Sequence, residues 1–332
     1  MKPVNRMRIT TMNDPQTLLA IRQTLQAAQR ILITSHIRPD GDAIGSMLGF
    51  GLALQQAGKE VVMALSDSVP QNMLHLPGSR EIVRAPKGKF DTFIVVDAAD
   101  IKRIGAAFNS HQPDIQIDHH VTNPGYARLN WVDPEAVATA AILAEILPQL
   151  GLEITRPVAE ALLTAIITDT IGFRTSNMNP KALRIAADLM EKGANLPELY
   201  YRGLVQRSFE EARYWGVGLS TLQKKGRIIW STLTQADRRT VGYNGNDDAD
   251  LANLLSSISE CDIAILFNEQ KHDHVKVSWR AQPGWDVSKL AAQFGGGGHP
   301  AAAGAEINGS LEEVQAKVLA ATEDFISSNP TS

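Results

Sequence analysis

The chain has 332 residues, a formal net charge of -4, 44% hydrophobic residues and 20% charged residues. A single hydrophobic core rarely organises a chain of this length, so we expect two domains. The composition is that of a globular protein, and the net negative charge argues against a broad basic surface for long duplex DNA. The only cysteine, Cys261, excludes an internal disulfide and a multi-cysteine zinc site, and its apolar neighbours indicate a core residue.

The sequence shows no pattern typical of membrane targeting. No apolar run approaches the ~20 residues that a membrane span requires. Lys2, Arg6 and Arg8 lie near the N-terminus, but neither an apolar segment nor a cleavage site follows them. We therefore expect no signal peptide, no membrane contact and a reducing, cytoplasmic location.

In the first half of the chain, apolar strand patterns alternate with helical patterns, as βαβ units require. Helices are predicted at 14–29, between Gly41 and Gly58, and at 136–150, 157–170 and 180–192. Strands are predicted in the aliphatic run that starts at Ile31 and breaks at Pro39, and at 61–65, 93–96 and 115–117. This order indicates a parallel sheet covered by helices.

A second set of elements follows a helix-permissive segment of mixed charge. Its predicted strands are 227–232, 261–267 and 275–279, and its predicted helices are 250–259, 287–293 and 311–326. This set is long enough for a separate domain. We therefore predict an α/β protein with a larger N-terminal parallel-sheet domain (1–195), a helical connector (196–224) and a smaller C-terminal α/β domain (225–328).

The turn after the first predicted strand carries His36, Asp40 and Asp42. Two carboxylates so close together repel each other unless a cation lies between them. Parallel-sheet proteins usually bind their ligands where strands end and helices begin. The sequence therefore predicts a divalent-metal site at the carboxyl edge of the sheet.

Polar residues at other strand ends extend this set. Asp97 ends the third strand, and Asp118, His119 and His120 follow the fourth, while Asp169 interrupts an apolar run. Each residue alone is more typical of a helix cap or a turn, but their joint occurrence favours a site. Mixed carboxylate and imidazole ligands suit manganese or another divalent transition metal. Their number exceeds the needs of one ion, and two ions bridged by a carboxylate would suit phosphoester hydrolysis.

The second domain contains a glycine run that ends in His299. The backbone of a polyglycine turn can approach an anion closely, and His299 could contact a phosphate. Arg280 follows a predicted strand and offers bidentate geometry to a phosphate. In isolation, however, a glycine run is more typical of a linker or tight turn, and such an arginine is more typical of a surface.

These motifs together resemble those of the DHH phosphoesterase superfamily, and the resemblance covers nearly the whole chain. In chain order, its motifs are matched by His36-x-x-Pro39-Asp40-x-Asp42-Ala43-x-Gly45-Ser46, Asp97, Asp118-His119-His120, Thr168-Asp169-Thr170 and, for the DHH-associated C-terminal domain, Gly296-Gly297-Gly298-His299. The resemblance implies an active site in the cleft between the two domains.

The resemblance also implies two manganese ions, with other divalent metals possible. His36 and Asp40 would hold one ion, with Asp97 bridging to the other. The second ion would be completed by Asp42, His119 and Asp169.

The catalytic residues implied by the resemblance are Asp97, Asp118 and His120. His120 would reach the substrate phosphate or the leaving oxygen, and Asp118 would orient an adjacent histidine by a hydrogen bond. The terminal nucleotide would be bound by residues of the C-terminal domain, namely Arg280, Gly296, Gly297, Gly298 and His299.

Within the superfamily, RecJ-type exonucleases carry an additional domain, and membrane-bound cyclic-dinucleotide phosphodiesterases carry membrane helices. Family II pyrophosphatases have a motif in the second domain that differs from the glycine run ending in histidine in this sequence. The compact NrnA-type subfamily remains, which implies an exoribonuclease for very short single-stranded RNA and dinucleotides that also dephosphorylates 3′-phosphoadenosine 5′-phosphate. A homodimer is a possible assembly. The alternatives are a phosphodiesterase of pApA or cyclic di-AMP and, from another class, a non-catalytic nucleotide-binding regulator.

Overall fold

The structure, a computed structural model, describes residues 14–105, 108, 112–245, 247–271 and 273–329. They form two compact units, of which the first ends at Gln206 and the second begins at Arg207. Of the expected connector, residues 196–206 lie in the first unit and residues 207–224 in the second. The prediction of an α/β protein with a larger parallel-sheet region and a second, smaller α/β region is confirmed.

A five-stranded parallel sheet forms the centre of the first unit, in the order β2-β1-β3-β4-β5. The strands are β1 (Arg30–Thr34), β2 (Glu60–Met63), β3 (Thr92–Val96), β4 (Ile115–Asp118) and β5 (Leu129–Val132). Every residue of β3 is buried, as expected for a central strand of a sheet covered on both faces. The sequence predicted the first four strands and missed β5, which is short and mostly half-buried.

Helices surround this sheet at nearly the predicted positions. They are α1 (Pro15–Ala27), α2 (Gly41–Gln56), α3 (Thr139–Leu150), α4 (Arg156–Asp169), α5 (Pro180–Glu191) and α6 (Leu196–Tyr200). Asp14 caps α1 by accepting a hydrogen bond from the backbone N–H of Gln16. Short 3₁₀ helices lie at Gln71–Met73, Ser79–Glu81 and Ile101–Ile104, and a π-helical turn at Tyr201–Val205 follows α6.

Helices α2 and α4 pack closely because α2 presents glycines where it faces α4. A Cβ atom at Gly41 would overlap the side chain of Thr168, and one at Gly45 would overlap the backbone oxygen of Ala161. Only hydrogen atoms fit at these points, so the two helix backbones approach each other directly. The contact sets the first turn of α2 beside the last turn of α4, where Asp169 lies.

The second unit contains a six-stranded mixed sheet in the order β10-β11-β9-β8-β7-β6. Its strands are β6 (Gln223–Lys225), β7 (Ile228–Leu233), β8 (Ile263–Lys271), β9 (His274–Ala281), β10 (Gly297–His299) and β11 (Ala302–Asn308). Its helices are α7 (Phe209–Ser220), α8 (Gln235–Val241), α9 (Leu251–Leu255), α10 (Ser288–Gln293) and α11 (Leu311–Ser328).

Strands β10 and β11 correct the expectation of a glycine turn followed by an alanine-rich run. Glycine and alanine are poor strand formers, so local composition does not indicate a strand here. Strand β11 forms because all seven of its residues pair antiparallel with β9, and its Ala303 and Ala305 are buried against the sheet's core. Tertiary pairing therefore overrides local propensity.

Two expectations drawn from the composition can be compared with the structure. Cys261 is buried, as expected for a core residue, and burial raises the pKa of its thiol to about 11. Among the helices that the structure describes, none combines the length and the apolar character needed to cross a membrane.

The contact between α2 and α4 predicts that Gly45→Ala lowers the free energy of unfolding by about 1–3 kcal/mol, because the added methyl group meets backbone. Gly216→Ala is the matched control, since Gly216 also lies within a helix but has open space where its Cβ would be. The control should be neutral or stabilising by up to ~1 kcal/mol. Urea unfolding followed by circular dichroism measures both, and an unchanged Gly45→Ala variant would contradict the close packing.

Candidate metal centre

The carboxyl ends of three neighbouring strands carry the predicted ligands. His36 follows β1, Asp97 directly follows β3, and His119 directly follows β4. The strands are parallel and adjacent, so these ends meet at one edge of the sheet. Asp97 has a positive φ of 52°, which turns the chain sharply where β3 ends.

One group of ligand atoms joins His36, Asp40 and Asp97. His36 Nε2 lies 3.7 Å from Asp40 Oδ2 and 3.6 Å from Asp97 Oδ2. His36 Nδ1 lies 2.8 Å from the carbonyl oxygen of Ile37, which can only accept, so Nδ1 carries the hydrogen. The other oxygen of Asp40 caps α2 by accepting from two backbone N–H groups. The neutral form of His36 therefore presents an unprotonated Nε2 to the two carboxylates.

A second group joins Asp42, His119 and Asp169. His119 Nε2 lies 3.9 Å from Asp42 Oδ2 and 3.6 Å from Asp169 Oδ2. It also lies 3.8 Å from Asp97 Oδ1. His119 Nδ1 lies 3.2 Å from the carbonyl oxygen of Ala136, which fixes its tautomer in the same way. The structure thus brings together all six residues that were predicted as metal ligands.

The amino end of α3 holds two of these carboxylates. Asp42 Oδ2 accepts a hydrogen bond from the backbone N–H of Thr139 at 2.6 Å. Asp42 Oδ1 accepts from Ala140 N at 3.1 Å and from Ser46 Oγ at 2.9 Å. The hydroxyl of Thr139 donates to Asp97 Oδ1 at 2.9 Å. Sequence reasoning missed Thr139, whose only signal is a lone hydroxyl within the apolar run 136–144.

His120 is oriented from one side by two further residues. Its Nδ1 lies 2.7 Å from Asp118 Oδ1, and the second oxygen of the fully buried Asp118 accepts a hydrogen bond from Asn123 Nδ2. Sequence reasoning did not predict Asn123. Its signal is a position before Pro124, shortly after the two histidines, where asparagine commonly stabilises a turn.

The electrostatics of the cluster show an excess of negative charge. Burial lowers the pKa of His36, but hydrogen bonds and charges from Asp40 and Asp97 outweigh burial and raise the pKa to about 10. Burial raises the pKa of Asp97, but the hydrogen bond and charge of His36 dominate and lower it. Burial and the charge of Asp97 raise the pKa of Asp42 to about 7. Burial and the charge of Asp42 raise the pKa of Asp169 well above its usual value.

These carboxylates and imidazoles fit divalent cations by three criteria. The ligand atoms within each group lie within 4.8 Å of one another. The histidines present Nε2, with Nδ1 bound to backbone carbonyls. The raised pKa values of the carboxylates show that a proton on one of them reduces their mutual repulsion. A bound cation would supply that positive charge and replace the proton.

In the second unit, Arg280 lies on β9 and its guanidinium is held by two contacts. Its Nε donates to Asn253 Oδ1 at 2.7 Å and its Nη1 donates to the carbonyl oxygen of Trp279 at 3.0 Å. Burial lowers the pKa of Arg280, against the opposing charges of Asp248 and Asp250. The two hydrogen bonds fix the plane in which the guanidinium can meet an anion.

The glycines of the predicted phosphate-binding run differ in what they require. Cβ atoms at Gly296 and Gly298 would overlap backbone oxygens of β11, and Gly298 has a φ of 147°. Both glycines are therefore needed to build the β10–β11 hairpin. Gly297 is exposed and has open space where its Cβ would lie, and the neighbouring His299 is also exposed. Of the three, Gly297 combines an exposed position with open space where a Cβ atom would lie.

The pKa of His36 predicts that metal binding depends on pH. At pH 6.5–8.5 metal-free His36 is protonated because its pKa is about 10, and it must lose this proton to offer Nε2 to an ion. For that one proton, the apparent affinity for Mn²⁺ should rise about tenfold per pH unit. Calorimetry in buffers with different ionisation enthalpies counts the released protons. The His36→Gln variant should release fewer protons, and a pH-independent affinity of the wild type would contradict the prediction.

Comparisons with known proteins agree with this geometry. Residues 30–166 match the DHH family, N-terminal domain, and residues 234–328 match the DHHA1 domain. The bifunctional oligoribonuclease and PAP phosphatase NrnA of Thermus thermophilus is 34% identical, with 92% of this chain and 93% of that protein covered. The protein of the same name from Bacillus subtilis is 26% identical, with 86% and 91% covered.

Two solved structures have a similar fold. An exopolyphosphatase-related protein from Bacteroides fragilis has a TM-score of 0.85 and 25% identity, and the match covers 95% of this chain and 96% of that protein. RecJ of Thermus thermophilus in complex with Mn²⁺ has a TM-score of 0.55 at 14% identity, over 95% of this chain and 55% of that protein, and shows the fold alone. The two family matches and the 34% identity over almost the full length establish that the chain belongs to the DHH phosphoesterase family.

Proposed function

We propose that this protein is a manganese-dependent phosphoesterase that hydrolyses short oligoribonucleotides to mononucleotides and dephosphorylates 3′-phosphoadenosine 5′-phosphate. The observation that carries the proposal is the position of Asp97, whose two oxygens face different groups of ligand atoms. Its Oδ2 lies 3.6 Å from His36 Nε2, and its Oδ1 lies 3.8 Å from His119 Nε2. The names and near full-length coverage of the Thermus and Bacillus relatives support the substrate class.

Two groups of residues would hold one ion each, with Asp97 between them. The first group is His36, Asp40 and Asp97, and the second is Asp42, His119 and Asp169. Such a pair of bound ions would lower the pKa of water and neutralise charge that develops on a phosphoryl group. The mixture of oxygen and nitrogen donors suits manganese, which accepts both.

His120 would act as the proton donor to the leaving oxygen. Burial lowers its pKa, but the hydrogen bond of Asp118 and the charges of Asp97 and Asp118 outweigh burial and raise the pKa above the usual value. Its Nδ1 faces Asp118, and we assign the contact with the substrate to Nε2. Asn123 binds the second oxygen of Asp118, so the carboxylate keeps the orientation that the imidazole requires.

The second unit would contribute phosphate recognition. A guanidinium whose plane is fixed, as in Arg280, suits bidentate contact with a phosphate. The exposed backbone at Gly297 and the exposed His299 would add hydrogen-bond donors to an anion. We assign these three residues to substrate binding, and we assign Gly296 and Gly298 to the hairpin that carries them.

A substrate panel with Mn²⁺ tests the proposed function. The purified protein should release mononucleotides from oligoribonucleotides of two to five residues and phosphate from 3′-phosphoadenosine 5′-phosphate, with little action on a long duplex DNA. Including pApA and cyclic di-AMP identifies the alternative specificity if only these are cleaved. A protein that binds Mn²⁺ but cleaves no phosphoester would overturn the proposal and favour a non-catalytic nucleotide-binding protein.

Replacing Asp97 tests the shared carboxylate. Asp97→Ala should abolish hydrolysis, a loss of at least about 10³-fold, because the first group loses a member and the second loses the carboxylate next to His119. Asp100→Ala is the matched control, since Asp100 is exposed on the same loop and its side chain accepts a hydrogen bond from the backbone N–H of Lys102. Turnover rates of both variants under saturating Mn²⁺ measure the effect, and retained turnover in Asp97→Ala would refute the assignment.

A further inference from the structure

One residue contacts a carboxylate in each of the two groups of ligand atoms. The backbone N–H of Thr139 donates to Asp42 Oδ2 at 2.6 Å, and its hydroxyl donates to Asp97 Oδ1 at 2.9 Å. We propose that Thr139 is a positioning residue that fixes the spacing of Asp42 and Asp97, so that both ions of the proposed centre are held together. This inference rests on the two-ion site of the proposed function.

The hydrogen bonds that Asp42 already accepts leave few acceptor positions for an ion on its carboxylate. A carboxylate oxygen can accept about two hydrogen bonds or ligand contacts. Among the residues that the structure describes, Asp42 Oδ1 accepts from Ser46 Oγ and Ala140 N, while Oδ2 accepts from Thr139 N alone. Asp42 therefore has one acceptor position left, on the oxygen that faces His119 Nε2. It would bind an ion through a single oxygen whose direction is set by α3.

The position of α3 reinforces this arrangement. Thr139 is the first residue of a 12-residue helix, whose N-terminal N–H groups carry partial positive charge. Two of these N–H groups, on Thr139 and Ala140, are aimed at the buried carboxylate of Asp42. Three structural elements, α2, the end of β3 and α3, are thereby tied to one another at the metal centre.

The hydroxyl of Thr139 holds the carboxylate of Asp97 in one orientation. With Oδ1 bound to the hydroxyl, Oδ1 faces His119 and Oδ2 faces His36. Without that hydrogen bond, the carboxylate could rotate and leave one of the two groups without its oxygen. Partners of this kind typically change metal affinity by 10–100-fold when they are removed.

The two contacts of Thr139 can be separated experimentally, because one uses the backbone and the other the side chain. Thr139→Val keeps the shape and the backbone N–H but removes the hydroxyl, whereas Thr139→Ser keeps the hydroxyl and removes the methyl group. Thr322→Val is the matched control. Thr322 is also fully buried in a helix, but its hydroxyl donates to the backbone oxygen of Val318 in the second unit.

The experiment is calorimetric titration of the full-length, metal-free proteins with Mn²⁺, without nucleotide. We expect Thr139→Val to weaken binding by about 10–100-fold, and Thr139→Ser and Thr322→Val to bind like the wild type. The Mn²⁺ concentration for half-maximal phosphoesterase activity should rise by the same factor, while KM for the nucleotide at saturating Mn²⁺ stays unchanged. Rescue by serine would assign the effect to the hydroxyl rather than to packing.

Three results would overturn the inference. They are Mn²⁺ binding by Thr139→Val that equals the wild type, an equal loss in Thr139→Ser, and an equal loss in Thr322→Val. If Thr139→Val does not fold by circular dichroism, Thr139→Ala removes the same hydroxyl and is judged by the same criteria. Because the titration contains no nucleotide, a failure of the proposed substrate specificity would leave this result unaffected. A wild type that binds no Mn²⁺ would overturn the inference and the two-ion proposal together.

Discussion

The mutual repulsion of buried carboxylates at one edge of the first sheet is the constraint on which the site depends. Asp42, Asp97 and Asp169 lie close to the same imidazole nitrogen, that of His119. In the metal-free protein, protons and imidazolium charges compensate part of this repulsion, as the raised pKa values of Asp42, Asp169 and His36 indicate. The fold therefore holds its functional groups in an arrangement that is favourable only with added positive charge.

The topology of the parallel sheet explains how residues so distant in sequence come to share this edge. Adjacent parallel strands end on the same side, so any residue directly after β1, β3 or β4 must lie there. From this rule, the sequence could predict that the proposed ligands following β1, β3 and β4 would lie close together. The rule does not place Asp169, because this residue ends a helix rather than a strand. Its position depends on the close packing of α4 against α2.

What the sequence did not reveal depends on hydrogen bonds of the folded chain, some between remote segments and some within a few residues. Thr139 and Asn123 have ordinary local surroundings, and their hydrogen bonds to Asp97 and Asp118 exist only in the folded chain. Strand β5 was missed for a similar reason. The polar Asn130 interrupts this segment, so it lacks the apolar run that marked the other strands. The side chain of Asn130 instead forms two hydrogen bonds with Ala127 in the preceding loop.

The close approach of α2 and α4 has a consequence for the choice of metal. Asp42 lies in the first turn of α2 and Asp169 is the last residue of α4, so the distance between these helices also sets the distance between the carboxylates of two proposed ligands. Cations of different ionic radius require different separations of their ligands. Because Gly45 has no methyl group, the helices can approach closely, and this spacing would limit the ionic radius that the proposed site accepts.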